Sequence, residues 1–286
     1  VRADFNVPLD KKTNEITDDK RIRETLPTIK SLVKRGAKVI LCSHLGRPDG
    51  NVVESLRMDK VAVKLGELLN KKIKKLNDCV GNYVKGEVSK MENGGIILLE
   101  NLRFHPEEEA NDTNFSKQLA ELADIYVNDA FGTCHRAHAS TYGITKHLQS
   151  AAGFLVEKEL KVMGKAMENP ERPFIGVLGG AKISDKIKVI ENLLNKVDKL
   201  LLGGAMIFTF YKAQGKNIGV SKLEEDYVYL ARKLLQNKKI VLPVDVVVAD
   251  KFDKDANSKV VNVDNIPDDW VGLDIGPKTI QNYEEF

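Results

Sequence analysis

Short apolar runs alternate with amphipathic stretches along all 286 residues of the chain. The apolar runs are rich in Val, Ile and Leu, which is typical of strands buried on both faces. In the amphipathic stretches, the apolar residues recur at helical spacing. This alternation predicts βαβ units with mostly parallel sheets, and therefore an α/β fold of Rossmann-like, three-layer domains.

The amphipathic stretches give the predicted helices. In the first of them, Leu26, Ile29 and Leu32 share one face, and Gly36 follows as a stop signal. Helices are predicted over residues 19–35, 61–69, 115–123, 154–169, 185–195 and 224–236. In the second half of the chain, strands are predicted over residues 174–178, 199–202 and 240–249.

A chain of this length is expected to form two domains, because single cores rarely grow beyond about 250–300 residues. Halfway along, a predicted helix runs into Pro170 and Pro173, which cannot continue it. We therefore predict a connector at this point. The predicted parts are a first domain over residues 1–153, a connector helix and turn over residues 154–171, and a second domain over residues 172–286.

Composition narrows the class of protein. The 44 basic and 41 acidic residues give a net charge of +3, which offers no support for a general nucleic-acid or membrane surface. Three scattered cysteines, Cys42, Cys79 and Cys134, lack metal-ligand spacing and indicate free, mostly buried thiols in a reducing compartment. No apolar run is long enough to span a membrane, and no signal peptide is visible. We predict a cytoplasmic protein without nucleic-acid or membrane partners.

Four apolar runs in the first half end on segments that carry arginine, histidine or a carboxylate. These segments lie within residues 1–6, 39–48, 96–104 and 125–138. In an open parallel sheet, ligands bind beyond the carboxyl ends of the strands. Arg47, Arg103 and Arg136 lie on three of these segments, and Arg21 follows the fourth. Because arginine binds phosphate and carboxylate groups through two parallel hydrogen bonds, four such ends side by side would form a basic rim for a small polyanion.

Two glycine pairs follow strands in the second half, Gly179-Gly180 and Gly203-Gly204. Glycine lets backbone amides approach a phosphate group, although either pair alone could serve only a tight turn. Lys182 and Lys186 are four residues apart, so we predict that they share a face at the start of helix 185–195. Cations are disfavoured at a helix N-terminus, and a bound polyphosphate would explain their presence.

Other polar residues of the first half have structural interpretations. Asp4 and Asn6 could cap the turn that follows them. His105 and His147 are expected on the solvated surface, and residues 107–109 are expected to form a solvated loop or a helix start.

Taken together and in order, these motifs resemble those of the phosphoglycerate kinase family over essentially the whole chain. The matching segments of the first half are Asp4-Phe5-Asn6-Val7-Pro8, Arg21-Ile22, Ser43-His44-Leu45-Gly46-Arg47-Pro48, Glu100-Asn101-Leu102-Arg103-Phe104 and Asp129-Ala130-Phe131-Gly132 through Ser140. Those of the second half are Leu178-Gly179-Gly180-Ala181-Lys182, Asp185-Lys186, Gly203-Gly204-Ala205-Met206 and Gly272-Leu273-Asp274-Ile275-Gly276-Pro277. One such motif alone would be weak evidence for the family, whereas the whole set in the same order is specific to it.

The resemblance implies a glycolytic enzyme that moves a phosphoryl group reversibly between 1,3-bisphosphoglycerate and ADP, giving 3-phosphoglycerate and ATP. It implies a monomer whose first domain binds phosphoglycerate and whose second binds the nucleotide with its Mg²⁺. Closure about the connector would bring the two substrates together. No residue of this chain is expected to ligate the metal.

The resemblance also implies roles for individual residues. The expected catalytic residues, which act on the charge of the transferring group, are Arg21, Lys182 and Lys186. The expected phosphoglycerate-binding residues are Asp4, Phe5, Asn6, Arg21, His44, Arg47, Arg103 and Arg136. The expected nucleotide-binding residues are Lys182, Lys186, Gly203, Gly204 and Gly272.

The sequence departs from the family pattern in two ways. Ala205 stands where many members have glycine, which is a small change. The family's later Gly-x-x-Gly-x-x-Glu and Gly-Gly-Gly-Asp-Ser/Thr motifs do not occur, and Val1 stands inside a predicted strand without an initiator Met. We therefore expect a piece of a longer protein with an incomplete second domain.

Two other functions are weighed against phosphoryl transfer. One is a truncated, catalytically impaired product that only binds phosphoglycerate; 3-phosphoglycerate would then raise the melting temperature without turnover in a coupled assay. The other is a nicotinamide oxidoreductase, suggested by glycine turns after strands. The chain lacks the G-x-G-x-x-G pattern with a following ribose-binding acid, which argues against it.

Overall fold

A computed structural model describes residues 1–286 and divides them into two compact units, Val1–Gly164 and Lys165–Phe286. The division falls within the helix Phe154–Glu168, which lies inside the predicted connector. The exact limits of the two predicted domains stay predictions. Among the helices, none has the length and apolar character needed to cross a membrane.

Six parallel strands organise the first unit. They are β1 (Arg2–Ala3), β2 (Val39–Leu41), β3 (Lys74–Lys75), β4 (Ile96–Leu98), β5 (Ile125–Asp129) and β6 (Gln149–Ala152). They form two sheets, β2-β4-β3 and β1-β5-β6. A parallel bridge between Arg2 and Cys42 joins β1 to the end of β2. The strand order across the unit is therefore β3-β4-β2-β1-β5-β6.

Helices cover both faces of this sheet. They are α1 (Lys20–Lys34), α2 (Asp59–Leu69), α3 (Gly81–Ser89), α4 (Pro106–Glu109) and α5 (Thr113–Ala120), and α6 (Phe154–Glu168) follows them across the division between the two units. In β4, Ile96 packs in a hydrophobic cluster with residues of α1 and α2, whereas Ile97 packs in another with residues of α5. Because successive strand residues point to opposite faces, the sheet has a core on each side, as the sequence predicts.

The second unit contains a parallel sheet and an antiparallel one. Its strands are β7 (Ile175–Gly179), β8 (Lys199–Gly203), β9 (Ile240–Val241), β10 (Asp245–Ala249), β11 (Ser258–Asn262) and β12 (Val271–Ile275). Its helices are α7 (Ile187–Leu194), α8 (Ile207–Ala213), α9 (Val228–Leu234) and α10 (Pro277–Glu284). The parallel sheet has the order β7-β8-β9, and the antiparallel sheet has the order β11-β10-β12. Mostly parallel sheets with helices thus confirm the predicted α/β class.

Three element predictions for this unit need correction. The helix predicted from residue 185 begins only at Ile187, so Lys182 and Lys186 precede it and do not share a helix face. The strand predicted over residues 240–249 is two strands in different sheets, because Pro243 has no amide hydrogen for a ladder. The helix predicted over residues 224–236 opens as a 3-10 turn and is α-helical only in α9.

Helix α8 was not predicted from the sequence. Six of its seven residues are buried, so it has no polar face to reveal a helical period. Its aromatic residues Phe208, Phe210 and Tyr211 lie in the hydrophobic core of the second unit with the buried residues of β8.

Candidate functional site

The four polar strand ends of the first unit lie side by side. Strands β4, β2, β1 and β5 are consecutive in the strand order and parallel, so their carboxyl ends meet along one edge. This is the arrangement that a basic rim requires. We call this edge the strand-end rim, and define it by Asp4, Asn6, Arg21, His44, Arg47, Arg103 and Arg136.

His44 lies among arginines. It is 4% exposed, and burial together with the charges of Arg2, Arg103, Arg136 and Arg21 lowers its pKa to about 2. His44 is therefore neutral at pH 7. Nη2 of Arg2 lies 3.1 Å from Nδ1 of His44. Because a guanidinium can only donate, Nδ1 must accept and the ring proton must be on Nε2. The neutral ring thus offers an N–H donor in cationic surroundings.

The segment after β1 carries two polar rim residues. Asp4 is buried and forms an ion pair with Arg21, whose side chain is half exposed. The side-chain oxygen of Asn6 accepts a hydrogen bond from the amide of Gly46 at 2.9 Å. Between them, Phe5 is fully buried with its side chain in the hydrophobic core. Phe5 therefore anchors the segment and fixes Asp4 and Asn6 at the edge of the sheet.

Three arginines come from the other strand ends. Arg103 is nearly buried, donates to the carbonyl of Gly46 at 3.0 Å and pairs with Glu109 at 2.9 Å. Arg47 is exposed and forms no ion pair, and Arg136 lines an open depression of about 300 Å³. Each guanidinium has five N–H groups, so all three retain donors that an anionic ligand could use.

Two charged residues behind the rim, Arg2 and Glu108, were not predicted from the sequence. Arg2 is 1% exposed and donates from Nε to the hydroxyl of Ser140 at 2.9 Å. Glu108 is fully buried and accepts two hydrogen bonds from Ser140. Residues 107–109 lie in α4, which confirms the predicted helix start; Glu107 and Glu109 are solvated as expected, whereas Glu108 is not. For Arg2 the sequence contains one indication of burial, since this arginine lies inside an apolar run.

The expectation that His105 is a solvated surface residue is also wrong. Its ring is half-buried, lies 5.0 Å from the ring of Phe115 and pairs with Asp78 at 2.7 Å. The hydrogen bond with Asp78 raises the pKa of His105. Cys79 lies close enough to these two for a shared metal ion, but its thiol donates to the carbonyl of Glu100 at 3.0 Å and burial raises its pKa. These partners account for all three side chains without a metal.

In the second unit, the two predicted glycine turns lie next to each other. Gly179 and Gly203 are register partners at the ends of β7 and β8. Gly204 has a φ of +70°, and a Cβ there would lie 2.6 Å from the carbonyl oxygen of Gly180. Glycine is therefore required for this approach. A Cβ on Gly180 would lie 3.3 Å from Cε of Lys186, so that side chain runs along the turn.

Gly272 lies on β12 and contacts helix α8. Its amide donates to the hydroxyl of Ser221 at 2.8 Å, and a Cβ would lie 1.9 Å from the ring of Phe208. A Cβ on Gly203 would lie 3.9 Å from Cγ2 of Ile275, also on β12. The structure thus brings Gly203, Gly204 and Gly272 into one region with Lys186, while Lys182 is exposed on the loop that follows Gly180.

Comparisons with known proteins agree with this geometry. A sequence profile described as phosphoglycerate kinase matches residues 1–286. The chain is 58% identical to phosphoglycerate kinase of Microcystis aeruginosa over 291 aligned positions and 57% identical to that of Dictyoglomus turgidum over 290. Both alignments cover 100% of this chain and 72% of the relative.

Solved structures are similar over the same extent. Phosphoglycerate kinase from Coxiella burnetii superposes with a TM-score of 0.83 at 40% identity, covering 99% of this chain and 72% of that one. The enzyme from Pyrococcus horikoshii superposes with a TM-score of 0.82 at 32% identity, covering 99% of this chain and 74% of that one.

Proposed function

Because the chain belongs to the phosphoglycerate kinase family, whose members move a phosphoryl group between 1,3-bisphosphoglycerate and ADP, we propose that its strand-end rim binds the phosphoglycerate. We also propose that the glycine turns after β7 and β8 bind the nucleotide. The observation that carries this assignment is the set of four adjacent parallel strand ends on which a neutral His44 lies among arginines.

The rim chemistry suits a phosphoglycerate. Arg47, Arg103 and Arg136 carry planar guanidinium groups, which match the oxygens of a phosphate or a carboxylate. His44 adds an N–H donor from Nε2 without adding charge. Asp4 and Asn6 offer oxygens that can accept from a substrate hydroxyl. Together these groups can orient a small molecule that is anionic at its ends and hydroxylated between them.

Arg21 is proposed to act on the transferring phosphoryl group. Such transfers depend on positioning and on stabilisation of charge at the equatorial oxygens, with little covalent chemistry by the protein. Arg21 is half exposed, and Asp4 holds it at the rim. Its guanidinium can exchange this carboxylate for phosphoryl oxygens as charge develops there.

Lys182, Lys186 and the amides of the two glycine turns are proposed to bind the nucleotide phosphates. Ammonium groups and N–H donors fit phosphate oxygens and do not ligate a cation. We therefore propose that Mg²⁺ would come as its complex with ATP or ADP, where it would neutralise phosphate charge. The monomeric state, the cytoplasmic location and the closure about the connector stay predictions.

Two substitutions test the division of roles between the rim and the glycine turns. Arg47→Ala is expected to raise the Kd for 3-phosphoglycerate roughly tenfold or more, since charged hydrogen bonds contribute about 1.5–3 kcal/mol each, and to leave the Kd for MgATP unchanged. Lys186→Ala is expected to do the reverse. Titration calorimetry of both variants with both ligands gives the answer.

Arg35→Ala, a change at the exposed end of α1, is the control for the titrations and should leave both Kd values unchanged. Wild-type protein is also tested for turnover in a coupled kinase assay. If Arg47→Ala binds 3-phosphoglycerate as tightly as wild type, Arg47 has no part in the site. If Lys186→Ala weakens 3-phosphoglycerate instead of MgATP, the assignment of the glycine turns is wrong. Turnover in the coupled assay would reject the alternative of a product that only binds phosphoglycerate.

A further inference from the structure

Glu108 is a buried carboxylate for which the proposed chemistry has no direct use. Its side chain is 0% exposed, although Glu107 and Glu109 on the same short helix, α4, are exposed. Burying a carboxylate is costly unless hydrogen bonds and an opposite charge compensate for the lost water. The groups that compensate for the burial of the Glu108 carboxylate are connected by hydrogen bonds to the strand-end rim.

Glu108 fixes the chain segment that follows Arg136. Its Oε1 accepts from the hydroxyl of Ser140 at 2.6 Å, and its Oε2 accepts from the amide of Ser140 at 2.9 Å. Its backbone carbonyl accepts from the amide of Ala139 at 2.9 Å. Nδ1 of His138 lies 3.9 Å from the same carboxylate. Ala139 and Ser140, three and four positions after Arg136, are therefore held by hydrogen bonds to one glutamate.

The hydroxyl of Ser140 extends this network to His44. It accepts from Nε of Arg2 at 2.9 Å, while Nη2 of Arg2 donates to Nδ1 of His44 at 3.1 Å. All four side chains, from Glu108 to His44, are buried. The carboxylate and the guanidinium are opposite charges bridged by one hydroxyl, so each reduces the cost of burying the other.

We propose that Glu108 is a positioning residue for phosphoglycerate binding, a role that rests on the proposed function of the strand-end rim. Glu108 acts on the ligand through two routes. It holds Ala139 and Ser140, and so the loop that carries Arg136. Through Ser140 and Arg2 it also holds His44 with Nδ1 as acceptor and Nε2–H as donor.

Glu108→Gln tests this role, because it keeps the shape of the side chain but leaves one oxygen acceptor where there were two and removes the charge. We expect the Kd for 3-phosphoglycerate to rise about tenfold, while the Kd for MgATP stays within about twofold of wild type. Glu107→Gln is the matched control: it makes the same chemical change one residue earlier, on the exposed side of α4, and leaves both Kd values unchanged.

A second variant keeps the test decisive if Glu108→Gln does not fold. Ser140→Ala retains both charges and removes only the hydroxyl that bridges them. It must therefore also raise the Kd for 3-phosphoglycerate and leave the Kd for MgATP unchanged. Circular dichroism first establishes that each variant is folded at the titration temperature. A wild-type Kd for 3-phosphoglycerate in the folded variants rejects the positioning role, and equal weakening of both ligands also rejects it because that indicates a general structural effect.

Arg47→Ala separates this proposal from the one on which it rests. If Arg47→Ala weakens the binding of 3-phosphoglycerate and Glu108→Gln does not, only the positioning role of Glu108 is rejected. If neither variant weakens the binding of 3-phosphoglycerate, the assignment of the strand-end rim as its binding site is rejected as well.

Discussion

Replacing Arg21 by alanine is expected to lower kcat by about 10²-fold or more, the loss typical of removing one donor that stabilises transition-state charge. Arg21 is the rim arginine that helix α1 contributes, and its half-exposed guanidinium is paired with Asp4. The variant leaves Arg47, Arg103 and Arg136 in place. The Kd for 3-phosphoglycerate should therefore change much less than kcat. Steady-state kinetics at saturating substrates, with calorimetry in parallel, measure both quantities.

Arg23→Ala is the matched control for this prediction. Arg23 lies two residues further along the same helix and also forms an ion pair, with Asp19 at 2.7 Å, but on the exposed surface. Its loss should leave kcat at the wild-type value. An unchanged kcat in Arg21→Ala would remove Arg21 from the transferring-group role, and an equal fall in both variants would point to an effect on the helix.

Replacing Glu100 by alanine is expected to lower the free energy of unfolding by about 3–5 kcal/mol, the cost of removing one partner from a buried charge pair. Glu100 is 2% exposed and accepts from the amides of Met58 and Asn101 at 2.9 Å. It also pairs with Lys75 at 2.6 Å and with Arg57 at 3.0 Å. The substitution leaves the nearly buried Lys75 with the exposed Asp59 as its only ion-pair partner.

Glu54→Ala controls for the loss of an ion pair as such. Glu54 pairs with the same Arg57 at 2.8 Å, but its side chain is 79% exposed, so its removal should cost at most about 1 kcal/mol. Urea denaturation followed by circular dichroism compares the two variants. Equal free energies of unfolding for Glu100→Ala and Glu54→Ala would show that the buried charge pairs of Glu100 contribute no more to stability than an exposed ion pair.

Much of the strand-end rim could be predicted because its residues are set by local sequence. A strand ends where its apolar run ends, so Asp4, His44 and Arg103 are placed by their own segments at the carboxyl ends of strands. The parallel arrangement then brings these ends to one edge. The glycine turns were predictable for the same reason, since each follows an apolar run directly.

The network behind the rim could not be predicted, because its partners are distant in sequence. Arg2 reaches Ser140 across 138 positions, and Glu108 reaches Ser140 across 32. A run of three glutamates after a proline is typical of an exposed helix start, and only the fold decides that Glu108 faces inward. Helix α8, with six of its seven residues buried, also lacks the polar face that would make its helical period visible in the sequence.

A crystal structure of the protein grown with 3-phosphoglycerate would show whether phosphoglycerate binds at the strand-end rim. We expect ligand density at this edge, with anionic oxygens on the guanidinium groups of Arg47, Arg103 and Arg136 and with Nε2 of His44 donating to the ligand. Density for the ligand at the glycine turns after β7 and β8, with none at the rim, would contradict this assignment.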